Sequence, residues 1–287
     1  MIDTLFACTA QTLTEFAADP KWMGVAGGTP AFSLVLHTWG QELQRHIHVH
    51  AVMACGVLDQ AAQWATPVRK PDFLFPVPAL SKVFRGKFMA ALTAAHKGAQ
   101  IEADPQGSVA DWAARQKQLY KHPWVVYAKA PLGGPAQVLE YLSRYTHRTA
   151  IGNERIREVS EREVAFTVRA DDKGGKRLLR LDGVEFVRRF LLHVLPSGIK
   201  RIRHYGVLAS GCKGKQLSAA RLALQMPALN PKALESAQGF MARVAKIDAR
   251  LCPICKVGRL QTAVVLAGLK QLPQPGTAVL PPSTGPP

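Results

Sequence analysis

The chain has 287 residues, 47% of them hydrophobic, which is enough to bury a sizeable core and excludes wholesale disorder. Lys and Arg number 37 against 20 Asp and Glu, a formal charge of +17. No window reaches the run of about 18 apolar residues that a membrane-spanning helix needs.

In chain order, residues 3–18 carry Leu5, Phe6, Leu13 and Phe16 at helical spacing and stop at Asp19-Pro20. A glycine-rich turn from Gly24 to Pro30 leads into AFSLVLHTWG, a predicted strand, and HIHVHAVMACGVL reads as a second, longer one. Pro67, Pro71, Pro76 and Pro78 mark an irregular connection. SKVFRGKFMAALTAAHK reads as a helix with Ser81 as N-cap, and VADWAARQKQLYK as another. WVVYAKAP has the β-branched, apolar character of a short strand, and AQVLEYLSRYTHR follows as a helix with Pro135 in its first turn. REVAFTVRA and KRLLRLD are strands joined by the hairpin signal Asp171 to Gly175. GVEFVRRFLLHVL is an amphipathic helix ended by Pro196, and IKRIRHYGVLAS has strand character. After residue 212 the pattern weakens, and the tail from Pro273 has a disordered composition. Strands and helices without a regular βαβ alternation predict an α+β fold. The expected boundaries are 1–150 for the site-bearing domain, 151–260 for a basic extension and 261–287 for the tail.

The charge is uneven. Residues 1–140 hold 12 basic and 10 acidic side chains, net +2, whereas residues 141–287 hold 25 and 10, net +15. A field of that strength attracts polyanions, nucleic acid first, although a basic chain can also be basic for solubility alone. The N-terminus lacks the basic and apolar regions of a signal peptide, and the five scattered cysteines do not suggest a disulfide framework. Both observations point to the cytoplasm.

Two segments carry the chemistry. In Arg45-His-Ile-His-Val-His50, strand alternation sends His46, His48 and His50 to one face and Ile47 and Val49 to the other. Three imidazoles along about 14 Å of strand, at about 3.4 Å per residue, can offer nitrogens to one divalent ion. In the helix from residue 137, Gln137, Tyr141 and Tyr145 share a face at i, i+4 and i+8, with Arg144 and Arg148 paired nearby. A phenol has a pKa near 10 and needs a cation or metal to attack phosphorus, and arginines can hold the phosphodiester. By itself that helix also reads as two half-buried aromatics on an ordinary amphipathic face.

The His-hydrophobe-His strand and the Tyr-x-x-x-Tyr helix together resemble the paired signature of HUH endonucleases. LHTWGQELQRHIHVH, VLEYLSRYTHRTAI, EFVRRFLLHVLPSGIKRIRHYG and CPIC are similar to the two-tyrosine rolling-circle transposases of the insertion-sequence-91 group. The likeness covers roughly residues 5–260. It implies a ferredoxin-like palm, a bound Mg²⁺ or Mn²⁺ ion, and nicking and joining of single-stranded DNA through a 5′-phosphotyrosine, with no nucleotide cofactor. The tyrosines fall on Tyr141 and Tyr145, the metal pair on His48 and His50 with His46 beside them, and Gln137 is the preferred third ligand. The family usually has Pro where this chain has Ile47. Full-length relatives begin with a cysteine-rich zinc-binding segment and a further strand, so this chain is expected to be truncated and its sheet to lack a strand. The alternatives are a non-catalytic DNA-binding remnant and a hydrolase that uses the histidines with water.

The basic run from Arg144 to Arg203 interleaves cations with Phe166, Phe186 and Tyr205, which suits single-stranded DNA. Arg201, Arg203, His204 and Tyr205 are the expected contact surface. Cys252-Pro-Ile-Cys255 supplies two zinc ligands where a structural site takes four, so the sequence assigns no zinc site there. Oligomeric state is not encoded in any of these motifs.

Overall fold

The computed structural model describes residues 1–68, 74–98, 110–146, 150–171, 174–227, 235–245, 248 and 250–261. Met1–Ala228 and Leu229–Pro287 form two separate units. The architecture is α+β, with two antiparallel sheets and flanking helices.

Helix α1 (Ile2–Ala18) and the one-turn α2 (Pro20–Met23) lead to strands β1 (Thr29–Trp39), β2 (Arg45–Leu58) and the short β3 (Trp64–Ala65). The first sheet has the order β3-β2-β1-β7, where β7 (Ile202–Gly206) arrives from late in the chain. Alternation along β1 and β2 decides which residues meet α1. Phe32, Leu34 and Leu36, with Ile47 and Val49, pack on Phe6 and Ala10. Burying each Phe or Leu there is worth about 1.5–3 kcal/mol. The other face is left to Ser33, Val35 and the histidines. Strand β7 can join β1 only through a glycine. Gly206 has φ +59, and a Cβ there would lie 1.7 Å from the Pro30 carbonyl oxygen, which accepts the Val207 N–H at 2.9 Å.

Helix α3 (Val77–Lys97) begins one turn before the expected Ser81 cap, with Pro76 as N-cap and Pro78 in the first turn. Ser81 is therefore inside the helix, and its hydroxyl donates to the Trp124 carbonyl at 2.6 Å. After α4 (Ala110–Lys121), the expected strand at WVVYAKAP is irregular chain and forms no ladder among the described residues. Its alternation has another origin. Trp124 packs edge-on against Phe84 and Phe88, Val126 joins the cluster around Phe16, and Val125 and Tyr127 face solvent. Helix α5 (Pro135–Thr146) follows as expected.

The second sheet comprises β4 (Ile156–Val159), β5 (Glu163–Asp171) and β6 (Gly174–Asp182), backed by α6 (Gly183–Leu191). The β5–β6 hairpin was expected, although residues 172–173 of its turn lie outside the described residues. β4 was not: Ile-Arg-Glu-Val is too charged to stand out. Helix α7 (Lys213–Ala223) falls where the pattern weakened. Leu43 of the β1–β2 turn is buried with Ala150, Phe166 and Val168, so the second sheet grips the first within one unit. Arg155 donates to the Gln41 carbonyl, Arg189 to the Glu42 carbonyl at 3.0 Å, Arg177 pairs with the Glu42 carboxylate, and His193 Nε2–H donates to the Leu43 carbonyl at 3.0 Å. In the second unit, a short helix α8 (Ala237–Phe240) runs into a wide turn at Met241–Ala245, and a bridge between Leu251 and Arg259 closes a loop. The tail expected to be disordered lies outside the described residues.

Candidate active site

The β1–β2 register sets His37 opposite His48, on the face away from α1. His50 is two residues further along β2, on the same face. Ring centroids lie 5.3 Å apart for His37–His48, 4.3 Å for His37–His50 and 4.9 Å for His48–His50. One nitrogen from each falls within 4.8 Å of the others. Imidazole–metal bonds of about 2.1 Å allow nitrogens up to about 4.2 Å apart around one ion, so small ring rotations suffice.

The surroundings prepare these rings as ligands. His48 Nδ1–H donates to the His46 carbonyl at 3.0 Å, which fixes its proton there and leaves Nε2 as the nitrogen that could bind a cation. His50 Nδ1 meets the Tyr141 hydroxyl at 3.0 Å. Burial, then the neighbouring charges of His48 and Lys129, hold His50 well below the ordinary imidazole range, at about 4. Burial likewise pushes His48 down, against the His46 carbonyl bond, which pulls it up. Neutral imidazole is the form that binds metal. His37 is buried and stacks on Trp39 at 4.7 Å and 16°, while the Arg201 guanidinium lies 4.7 Å from the centre of the same indole. Arg201 is itself held by donating Nε–H to the Leu36 carbonyl at 3.1 Å.

Of the expected residues, His48, His50 and Tyr141 come together. His46 is exposed, its ring 4.7 Å from that of His48 but outside the close trio. Gln137 is exposed on α5, and its carboxamide oxygen accepts the Gly133 N–H at 2.7 Å. Tyr145 and Arg144 lie on the α5 backbone, with side chains outside the described ones, and Arg148 lies wholly outside the described residues. The four residues around β7 divide between the two faces. Exposed His204 meets Ser33 Oγ at 2.7 Å on the histidine face, and Arg201 backs the Trp39–His37 stack. Arg203 instead pairs with Asp3 and covers the Phe6 ring at 4.1 Å, and Tyr205 stacks on Phe32 at 5.1 Å, both on the α1 side. Sequence reasoning missed His37. Its only signal is its place on the strand before the histidine run, and the pairing with His48 exists only once the hairpin closes.

A family model described as "Putative transposase" matches residues 31–216. The chain is 37% identical over 279 residues to "Putative transposase y4qJ" of Sinorhizobium fredii, covering 94% of this chain and 69% of that relative. It is 23% identical over 282 residues to "Transposase for insertion sequence element IS801" of Pseudomonas savastanoi pv. phaseolicola, covering 92% of this chain and 63% of that relative. No solved structure matches it significantly.

Proposed function

The chain belongs to the Y2 transposase family, and from that premise we propose that it nicks and joins single-stranded DNA through a tyrosine ester. The observation that carries this reading is the contact between the Tyr141 hydroxyl and His50, at the edge of a three-imidazole cluster. The donor set suits a divalent ion held by His37, His48 and His50. Gln137 is the weaker candidate for third ligand, because its amide oxygen is occupied by Gly133. Such an ion would act as a Lewis acid on the scissile phosphate. Hard Mg²⁺ prefers oxygen, so an all-imidazole site would favour Mn²⁺, with oxygens of the DNA as the further donors it would accept.

The protein's own groups do the rest. Were Nε2 of His50 to hold the ion, its remaining proton would sit on Nδ1, which would donate to Tyr141 Oη and stabilise the developing phenolate. Oη bonds to phosphorus as the bond to the 3′-oxygen breaks, the phenolic proton leaves to solvent, and the leaving 3′-oxygen takes a proton from solvent. The ester conserves the energy of the phosphodiester, so no nucleotide is consumed. Tyr145, one turn further along α5, serves the second strand transfer, with Arg144 and Arg148 holding phosphates. The transposition of an element by rolling-circle strand transfer follows from these steps. The test is nicking of a single-stranded oligonucleotide with Mn²⁺ or Mg²⁺. His48→Ala, His50→Ala and His37→Ala should each abolish metal-dependent nicking, and undiminished nicking in all three would overturn the assignment.

A further inference from the structure

The loop at residues 250–259 is tightly built. Leu251 bridges Arg259, the Cys252 N–H donates to the Gly258 carbonyl at 2.8 Å, and the Lys256 N–H donates to the Cys252 carbonyl at 2.9 Å. Lys256 takes φ +55, a left-handed conformation that an L side chain adopts only when the fold demands it. The turn aims the Gly258 N–H at Cys255 Sγ, 3.2 Å away. The backbone amides of Val257 and Gly258, then the Cys252 thiol, hold the Cys255 thiol below its ordinary range. Cys255 is exposed and Cys252 half-buried, so the pair faces outward rather than into a core.

Two adjacent sulfurs, with backbone donors offsetting thiolate charge, make half of a tetrahedral site for a soft cation. The other half is not within reach of the same unit. Residues 229–287 contain no further Cys and no His. Among the described carboxylates there, Asp248 accepts the Arg250 N–H and Glu235 pairs with Arg243. The remaining cysteines lie on different elements: Cys8 is buried in α1, Cys55 lies on β2, and Cys212 donates to the Gly206 carbonyl and Gln216. Another copy of the same loop offers two thiolates with the same spacing.

We propose that Cys252 and Cys255 are half of a zinc site completed by the same pair from a second copy of this chain, so that one ion in four thiolates joins two molecules. Each thiol releases its proton to solvent as it binds, and no redox step is involved. This pairing is independent of the reaction at the histidine cluster.

The experiment uses the full chain, reduced and stripped of metal, titrated with Co²⁺ and then Zn²⁺. Thiolate-to-cobalt charge-transfer absorption reports sulfur ligands alone, so the histidine cluster does not contribute, and light scattering reports mass. The expected result is saturation at one ion per two chains with a twofold rise in mass, reversed by chelator. Cys252→Ser and Cys255→Ser should abolish both signals while the melting of the first unit stays unchanged. No sulfur band, or a band saturating at one ion per chain without a rise in mass, would overturn the proposal.

Discussion

His50 illustrates how burial sets the chemistry of a single residue. Its folded-state pKa of about 4 lies below the unfolded value near 6.5, so between them the unfolded chain binds more protons. Stability of the metal-free protein is therefore lost as pH falls from about 6.5 towards about 4. Urea midpoints at neutral and mildly acidic pH should show that fall, and His50→Asn should flatten it; a midpoint that rises on acidification contradicts the burial argument. Metal binding should also survive to lower pH than an exposed histidine permits, because fewer protons compete. Trp39 lies between His37, on which it stacks, and the Arg201 guanidinium. Trp39→Leu should weaken metal affinity by on the order of 10-fold with circular dichroism unchanged, as for other groups that orient ligands. Calorimetry with Mn²⁺ measures it, and unaltered affinity would make the stack incidental. At this scale His48, His50 and Tyr141 were legible, because a period of two and a period of four each put like residues on one face. His37 was not, since nothing local announces a partner across a hairpin.

Among the elements, the strand β7 joins a sheet whose other strands precede it by over a hundred residues. Its glycine is what allows the approach. Gly206→Ala drives a methyl into the Pro30 carbonyl and strains a positive φ, and should cost about 2 kcal/mol or more in urea unfolding. A loss under about 0.5 kcal/mol would mean that β7 can shift without consequence. The long periodic elements α1, β1 and β2 were read correctly because each packs one face against the core, and α5 because its period of four is sustained over three turns. The errors share one cause. WVVYAKAP alternates between half-buried and exposed residues through contacts with α3 and the cluster around Phe16 rather than through a ladder, and Ser81 is an N-cap residue type used for a bond between segments. Sequence pattern reports burial and residue chemistry, not the partner that supplies them.

Across the whole molecule, the basic half is less available than its charge suggests. Arg155, Arg177 and Arg189 clasp the β1–β2 turn, Arg180 meets Glu158, Arg188 meets Glu185, and Arg203 meets Asp3. Composition alone offers these arginines to DNA, but the first three fasten the second sheet to the first and the others pair on one side or the other of that junction. Affinity for single-stranded DNA should still fall with salt, by about 0.7 in log K per log salt for each phosphate contacted. The slope should correspond to far fewer contacts than the net +15 of residues 141–287. A flat dependence would leave the basic half merely solvated. Among the described residues no helix is long and apolar enough to cross a membrane. The charge asymmetry was legible from composition; how much of it the fold consumes internally was not.

The central claim is that the α5 tyrosines attack DNA beside the histidine cluster. The measurement is a labelled single-stranded substrate incubated with Mn²⁺ and read on a denaturing gel for protein-linked DNA. Phe keeps the ring and removes only the hydroxyl, so folding is preserved. Tyr141→Phe and Tyr145→Phe should each retain part of the adduct, and the double substitution should abolish adduct and nicking together. Adduct persisting in the double Phe protein would contradict the account.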